Sequence, residues 1–400
     1  MTYRQRKAKR GNGNAGARVF VLSAGLIVTV IAIGLLSVAG YVIATAATAP
    51  ALSELKPTAV GESSVIYAAD GSRLGYVQSD EIRTAIPWGG MPQEVRRAVV
   101  AIEDERFYEH EGVDYSAIVR AGVKNIESGK NVQGGSTITQ QLVRALYIKD
   151  PERSFQRKIR EAKLASELEK KRSKRWILEH YLNDVPFGTV GGRTSIGIEA
   201  AASTFFGKKA RNLTLAEAAM LAGLPQAPSQ YNPFRNPSAA LRRRSEVLDK
   251  MAENRYITEA EAVEAKGAEL ELHKGTRYTQ RREPYFFDYV QEQLIERYGV
   301  GVYRRGGLKV HTTINPKTQD QARDAINSYY GDPAGPSSAI VSIDPTNGKI
   351  KAMASSGTYS DRTFNLAAQG QRQPGSAFKT MVLTAAVRSG IDPDSTYYTS

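Results

Sequence analysis

The sequence predicts a multidomain chain: an N-terminal transmembrane helix, then a mainly α unit, then the start of an α/β unit. Three observations predict it. Residues 19–47 carry no charge and consist largely of Val, Ile, Leu, Ala and Gly. From Pro92 to about Met251 apolar residues recur at helical spacing. Beyond residue 307 short alternating runs take over, Leu308–Ile314 and Ser338–Ile343, with Asn347-Gly348 as a hairpin turn. A 400-residue chain is long enough for two or three folded units.

A spanning helix needs about 20 apolar residues, and residues 19–47 exceed that. Arg4, Arg6, Lys7, Lys9, Arg10 and Arg18 precede the run with no acid among them. They account for six of the thirteen net positive charges and place the N-terminus in the cytoplasm. The small residues of Ala44–Ala49 also suit a cleaved signal peptide, but a signal's apolar stretch is only about 7–15 residues. Length favours an anchor. The expected division is a basic tail (1–18), a transmembrane helix (19–47), a polar connector (48–75), a helical domain (76–253), a linker (254–307) and an α/β segment (308–400).

Composition narrows the chemistry. There is no cysteine, which excludes a disulfide scaffold and a thiolate zinc site. His110, His180, His273 and His311 lack metal-ligand spacing. The charge of +13 shows no basic stripe with interleaved aromatics, so nucleic acid is not the expected partner. Anionic lipid or pyrophosphate suits the same balance. No cofactor is called for, and a divalent cation is left open.

Within the helical region, Val95, Val99, Ile102 and Phe107 form one apolar face, with Glu103 at its edge. Partial desolvation there would raise a carboxylate's pKa toward that of a general base, although an ordinary charged helix face reads the same. Gly134-Gly135-Ser136-Thr137-Ile138-Thr139-Gln140-Gln141 contains a Thr137-x-x-Gln140 capping box. A helix start with free N–H groups, and Arg144 one turn on, would cradle pyrophosphate; a plain capped helix fits equally well. Phe155, Ile159, Ala162, Ala165 and Leu168 line one side of the next helix, on which Arg157 and Glu161 stand at i,i+4 beside Lys158. A fourth stretch, Lys174-x-x-Ile177-Leu178-Glu179-x-Tyr181-Leu182-Asn183, is amphipathic. Leu213–Leu224 reads as an Ala/Leu-rich helix.

In this order and spacing the four stretches resemble the peptidoglycan glycosyltransferase family of class A penicillin-binding proteins and monofunctional transglycosylases, over about residues 87–250. Gly197-Ile198-Glu199-Ala200-Ala201, Phe205-Phe206-Gly207-Lys208, Asn232-Pro233 and Arg242-Arg243-Arg244 extend the resemblance. It implies a lysozyme-like helical fold in the bacterial plasma membrane and polymerisation of lipid II, a disaccharide-pentapeptide on a polyprenyl pyrophosphate. Glu103 would take the proton from the attacking 4-hydroxyl. Glu161 would assist the leaving group or position basic side chains. Gln140, Gln141, Arg144, Arg157 and Lys158 would hold pyrophosphate and sugar. Three departures stand out: Arg144 where the family has Lys, Phe205 for a usual Tyr, and residues 191–196 without the usual aromatic. The last two bear on acceptor or product handling.

Ser376-Ala377-Phe378-Lys379 puts a hydroxyl and an amine at i,i+3 after Pro374-Gly375. Ser53-Glu54-Leu55-Lys56 has the same form without that setting. With Ser342-Ile343-Asp344-Pro345, Asn347-Gly348 and Phe364-Asn365, residues 308–400 resemble the opening of the penicillin-binding transpeptidase domain. That resemblance makes Ser376 the nucleophile and Lys379 its base, with a β-lactam as ligand of the complete domain. The family's Ser-x-Asn and Lys-Thr-Gly motifs do not follow by residue 400, so this stretch alone is expected not to cross-link peptides or hold penicillin. Expected partners are lipid II, the nascent glycan, membrane lipid and, by analogy, division or elongation proteins. Two other readings compete: a glycan-cleaving lytic transglycosylase or lysozyme, and a non-enzymatic wall-binding membrane protein.

Overall fold

The uncharged N-terminal run forms a single helix in the computed structural model, which describes residues 3–55, 61–77, 79–128, 135–148, 154–330 and 336–395. Pro57, Gly134 and the side chains of the basic residues before position 19 lie outside that description. In chain order the elements are α1 (Tyr3–Thr48), β1 (Val65–Tyr67), β2 (Arg73–Tyr76), β3 (Glu81–Arg83), α2 (Gln93–Glu103), α3 (Tyr115–Ser128), α4 (Ile138–Tyr147), α5 (Phe155–Lys171) and α6 (Lys174–Asp184). There follow β4 (Pro186–Val190), β5 (Arg193–Ile196), α7 (Ile198–Phe206), α8 (Leu215–Ala222), α9 (Pro237–Glu253) and α10 (Glu259–Gly267). The chain continues with α11 (Pro284–Arg305), β6 (Lys309–His311), α12 (Pro316–Tyr330), β7 (Ala339–Ile343), β8 (Ile350–Ser355), α13 (Leu366–Gln369) and α14 (Phe378–Arg388). Among the described residues one helix, α1, is long and apolar enough to cross a membrane.

The chain divides into two units. Residues 1–63 and 79–278 form the first; residues 64–78 and 279–400 form the second. In the first, the apolar faces read from the sequence meet in one core: Val95 and Val99 of α2, Leu142 of α4, Leu164 and Leu168 of α5, Leu178 and Leu182 of α6. The Ala-rich α8 runs through it almost fully buried, because small side chains let α2 and α9 approach closely. Its start is fixed by a Thr214–Glu217 capping box, and Glu217 in turn receives Lys208 at 2.7 Å. A small sheet, β3-β5-β4, closes one side, with β3 and β5 parallel and β4–β5 a hairpin. Residues 191–192 are the turn of that hairpin, which gives the non-aromatic stretch a local structural role.

Two expected boundaries differ. The connector 48–75 contains β1 and β2, and β1 pairs in parallel with β6 more than two hundred residues later. Three- and four-residue strands show too little alternation to be read, and their distant partner is invisible to local pattern. The linker 254–307 contains α10, opened by a Thr258–Glu261 capping box and buried through Ala262 and Ala265 in the first unit's core. Arg244 of α9 holds the end of that helix by donating to the carbonyls of Lys266 and Ala268.

In the second unit the hairpin expected at Asn347-Gly348 is present. β7 and β8 pair antiparallel, Asp344 accepts from the Thr346 N–H, and Gly348 has φ +72°. Gln319 of α12 exchanges two hydrogen bonds with the Met353 backbone and so fastens helix to strand. Ile66, Leu74, Phe286, Phe287 and Leu294 make a separate core.

One glycine governs the local geometry of the first unit. Gly112 has φ +88°, and a Cβ there would lie 2.6 Å from the Ala165 carbonyl of α5. Its carbonyl accepts the Thr137 hydroxyl at 2.6 Å. Gly112→Ala is therefore expected to lower stability by at least ~2 kcal/mol, combining positive-φ strain with a backbone clash. Denaturant melts of the two proteins check this, and an unchanged midpoint would refute it.

Candidate active site

The first constellation starts where α2 stops. Glu103 is its last residue and Asp104 its C-cap. Asp104 accepts the Ile138 N–H at 3.0 Å, at the first turn of α4. Both Asp104 oxygens also lie 3.0 Å from His110 Nε2. Asp104 leaves the helix with φ −161° and ψ 76°. Glu103 and Asp104 both border a cleft of about 730 Å³, which Gln141, Arg144 and Arg243 also line.

The Glu103 side chain is only 8% exposed. Gln141 Nε2 donates to its Oε2 at 2.8 Å. Its Oε1 is buried without a hydrogen-bond partner, and Arg243 Nη2 stands 3.9 Å away. Burial pushes the carboxyl above the ordinary glutamate range. The Gln141 hydrogen bond and the charges of Arg243 and Arg144 pull against that shift, and Asp104 adds to it. A carboxylate with a raised pKa and one unused buried lone pair is equipped to accept a proton.

The start of α4 differs from expectation. The capping box is present, with Gln140 N–H donating to Thr137 and the Thr137 N–H donating to the Gln140 side chain. Because Ile138 N–H goes to Asp104, these three donors are spent inside the protein and are not free for an anion. Gln140 is consequently a buried capping residue rather than a ligand-facing one. The reason is burial: a helix end packed in a core must satisfy its orphan N–H groups internally.

The cationic cluster forms around Glu161, whose side chain is 0% exposed. Lys158 Nζ lies 2.9 Å, Arg157 Nε 3.2 Å and Arg144 Nη1 3.9 Å from its oxygens. Lys158 also donates to Ser136. Arg144, on α4, lines the cleft with Glu103 and reaches Glu161 on α5, so it links Glu103 to the cations. The fourth stretch is a brace. Lys174 binds Glu169 at 2.6 Å, donates to the His110 carbonyl at 2.6 Å and sits 4.6 Å above the Phe107 ring.

Arg243 is the residue that the sequence did not single out. It pairs with Glu246 at 3.0 Å, donates to the Gly223 carbonyl and approaches the Tyr231 ring at 5.5 Å. The available signal was the Arg242-Arg243-Arg244 triplet: two arginines buried on one helix are uncommon without specific partners. Among the described residues no group of three or more His, Asp or Glu is arranged to hold a metal ion.

In the second unit Ser376 lies in the 3₁₀ turn Gly375–Ala377 and Lys379 in the first turn of α14. Both are exposed, and no hydrogen bond joins them among the described residues. Among the described residues nothing covers this helix start. Asn365 is buried and caps α13 while donating to the Tyr285 carbonyl.

Residues 70–252 match the transglycosylase family, and residues 338–400 match the penicillin binding protein transpeptidase domain. The chain is 35% identical over 337 residues to Penicillin-binding protein 2D of Bacillus subtilis (strain 168), covering 84% of this chain and 48% of that protein. It is 39% identical over 297 residues to Penicillin-binding protein 1A of Neisseria lactamica, covering 74% of this chain and 36% of that one. The chain carries a transglycosylase-family region followed by a penicillin-binding transpeptidase region, and these relatives are penicillin-binding proteins. It spans less than half the length of these two relatives. A crystal structure of Penicillin-Binding Protein 1A from Haemophilus influenzae is also similar, with a TM-score of 0.43 and 21% identity over 83% of this chain and 53% of that one.

Within this chain, the departures read from the sequence separate. Phe205 is wholly buried and stacks on Phe234 with centroids 5.8 Å apart, so it is a core residue and not a surface for acceptor or product. Arg144 stays at the cleft, where a guanidinium offers a planar fork of donors in place of an ammonium point charge.

Glu161→Gln tests the cluster. It removes the counter-charge of a guanidinium, Arg157, whose side chain is 11% exposed, and of the more exposed Arg144 and Lys158, which water screens. The expected loss is ~1–3 kcal/mol, carried mainly by Arg157. Chemical denaturation measures it, and an unchanged midpoint would show that Glu161 does not organise the cluster.

Proposed function

We propose that this chain is a peptidoglycan glycosyltransferase that joins lipid II units into glycan strands and releases polyprenyl pyrophosphate. One observation carries the reading: a buried carboxylate with an unbonded oxygen, Glu103, shares its cleft with Arg144, one of three cations gathered around Glu161 on α4 and α5. A glycosyl cleaver needs an acid but has no diphosphate to neutralise. An enzyme that expels a diphosphate needs cationic donors where the leaving charge develops.

In this reaction Glu103 Oε1 takes the proton from the 4-hydroxyl of the incoming sugar. The hydroxyl oxygen forms a bond to the anomeric carbon of the growing chain as the carbon–oxygen bond to the lipid pyrophosphate breaks, with inversion. The electron pair leaves on the pyrophosphate, which Arg144, Arg157 and Lys158 stabilise. Gln141 holds the base. Glu161 sets the position of the three cations.

The anchor fits the substrate. Phe155, at the start of α5, stacks on Tyr41 of α1 at 6.2 Å, and Lys163 farther along donates to the Ala49 carbonyl. Arg157 and Lys158 follow Phe155 within one turn, so α1 brings the cations close to the membrane surface on which a polyprenyl pyrophosphate is held. The basic residues ahead of the uncharged run favour a cytoplasmic N-terminus and an extracytoplasmic cleft. In complete relatives of this architecture Ser376 would be acylated by stem peptide or β-lactam with Lys379 as its base, and division or elongation proteins are natural partners.

Glu103→Gln keeps the shape and the Gln141 contact but removes the base. Polymerisation of lipid II in detergent is expected to fall ~10²–10⁴-fold. Folding should survive. An acid whose folded pKa is raised stabilises below its unfolded pKa, and that contribution is lost as pH rises through the folded value. The Gln variant should thus melt with wild type in acid and at or above it from neutral pH upward. Retained polymerisation would refute the assignment, and breakdown of preformed glycan by the wild type would favour a cleaving enzyme.

A further inference from the structure

The two oxygens of Glu103 are not equivalent, and the difference is set one residue farther back. Oε2 accepts from Gln141 Nε2, while Oε1 is buried and unbonded. The other end of the same amide, Gln141 Oε1, accepts from the Tyr181 hydroxyl at 3.2 Å. Tyr181 is fully buried on α6, so its hydroxyl is shielded from water. An amide can sit either way round at nearly equal shape. Flipped, Gln141 would aim its carbonyl oxygen at a carboxylate, two acceptors face to face. A donor at the far end opposes that flip.

We propose that Tyr181 is a positioning residue for glycosyl transfer: by donating to Gln141 it keeps the amide N–H on Glu103 Oε2 and reserves Oε1 as the atom that receives the proton. This rests on the reading of Glu103 as the base. A hydrogen bond to the ionised carboxylate favours ionisation, so the Tyr181–Gln141 chain opposes the effect of burial on Glu103. The Tyr181 phenol itself is pushed well above its usual range by burial and by the Glu103 charge, which keeps it a donor through the working range.

The other groups facing Glu103 are charged but do not hold Oε2. Arg144 approaches from α4, Arg243 from α9, and Asp104 adjoins it. Farther along the cleft lie Glu105, then Asp114 and Arg120 at α3, and Glu246, Asp249, Lys250 and Glu253 of α9. All of them remain in Tyr181→Phe, so a change in that variant reports the hydroxyl.

The experiment is the pH profile of lipid II polymerisation by the full chain in detergent, for wild type and Tyr181→Phe. The expected result is a rising limb displaced to higher pH, with a rate about three- to ten-fold lower near neutrality that recovers in base, and an unchanged KM. In a Gln141→Met background, Tyr181→Phe should cause no further displacement. A drop equal at every pH, or no change, would overturn the proposal and mark Tyr181 as a packing residue. If Tyr181→Phe melts below the assay temperature, 3-fluorotyrosine at position 181 replaces it. As a stronger donor it should move the limb to lower pH, and an unmoved limb would overturn the proposal. If Glu103→Gln is inactive and the Tyr181 variants leave the profile in place, only this inference fails. If Glu103→Gln stays active, the underlying reading fails with it.

Discussion

The active site depends on the joint between the end of α2 and the start of α4. Asp104 receives the Ile138 N–H and faces His110 with both oxygens, while Thr137 donates to the carbonyl of Gly112. A carboxylate at a helix N-terminus is favoured by the orphan N–H groups there. Here that interaction also ties the end of α2, where Glu103 stands, to the start of α4. Gln141 then lies one turn into α4 with its amide on Glu103. One buried carboxylate joins the two helices, and Glu103 adjoins it.

The protein uses two buried glutamates in opposite ways. Glu161 is surrounded by three cations and serves as the fixed charge on which they are arranged. Glu103 has a cation only at 3.9 Å and a single hydrogen bond, so burial dominates and its carboxyl rises above the ordinary range. The contrast follows from neighbours rather than residue type. Under the proposed function, the carboxylate that organises charge is surrounded by cations, and the one that accepts a proton is left with few partners. Such a site costs stability, because an ionised group is kept out of water with incomplete compensation.

Much of this was legible in the sequence, for physical reasons that differ by element. The uncharged run before residue 48 and the helical spacing of Val95, Val99 and Ile102 are local signals, and the helices form where they indicate. The Thr137–Gln140 capping box is local too, yet its meaning was not: a cap looks the same whether its N–H groups face solvent or core. Gln140 was therefore assigned to substrate, although the structure buries it. Arg243 and Tyr181 reach the base across helices, and no spacing along the chain encodes that. The strands at 65–67 and 73–76 were read as connector because their partner at 309–311 is distant. Ser376 and Lys379 fall at the helix start that Pro374-Gly375 announces, but adjacency in sequence did not bring hydroxyl and amine together.

The proposed role of Glu103 as a desolvated base is tested most directly by its own titration. With ¹³C at the side-chain carboxyls, the Glu103 resonance, assigned by its loss in Glu103→Gln, can be followed against pH in the detergent-solubilised protein. A desolvated base titrates with a midpoint clearly above the ordinary glutamate value of about 4.3. A midpoint at or below that value would contradict it, because the charges of Arg243 and Arg144 would then outweigh burial and leave Glu103 a structural ion.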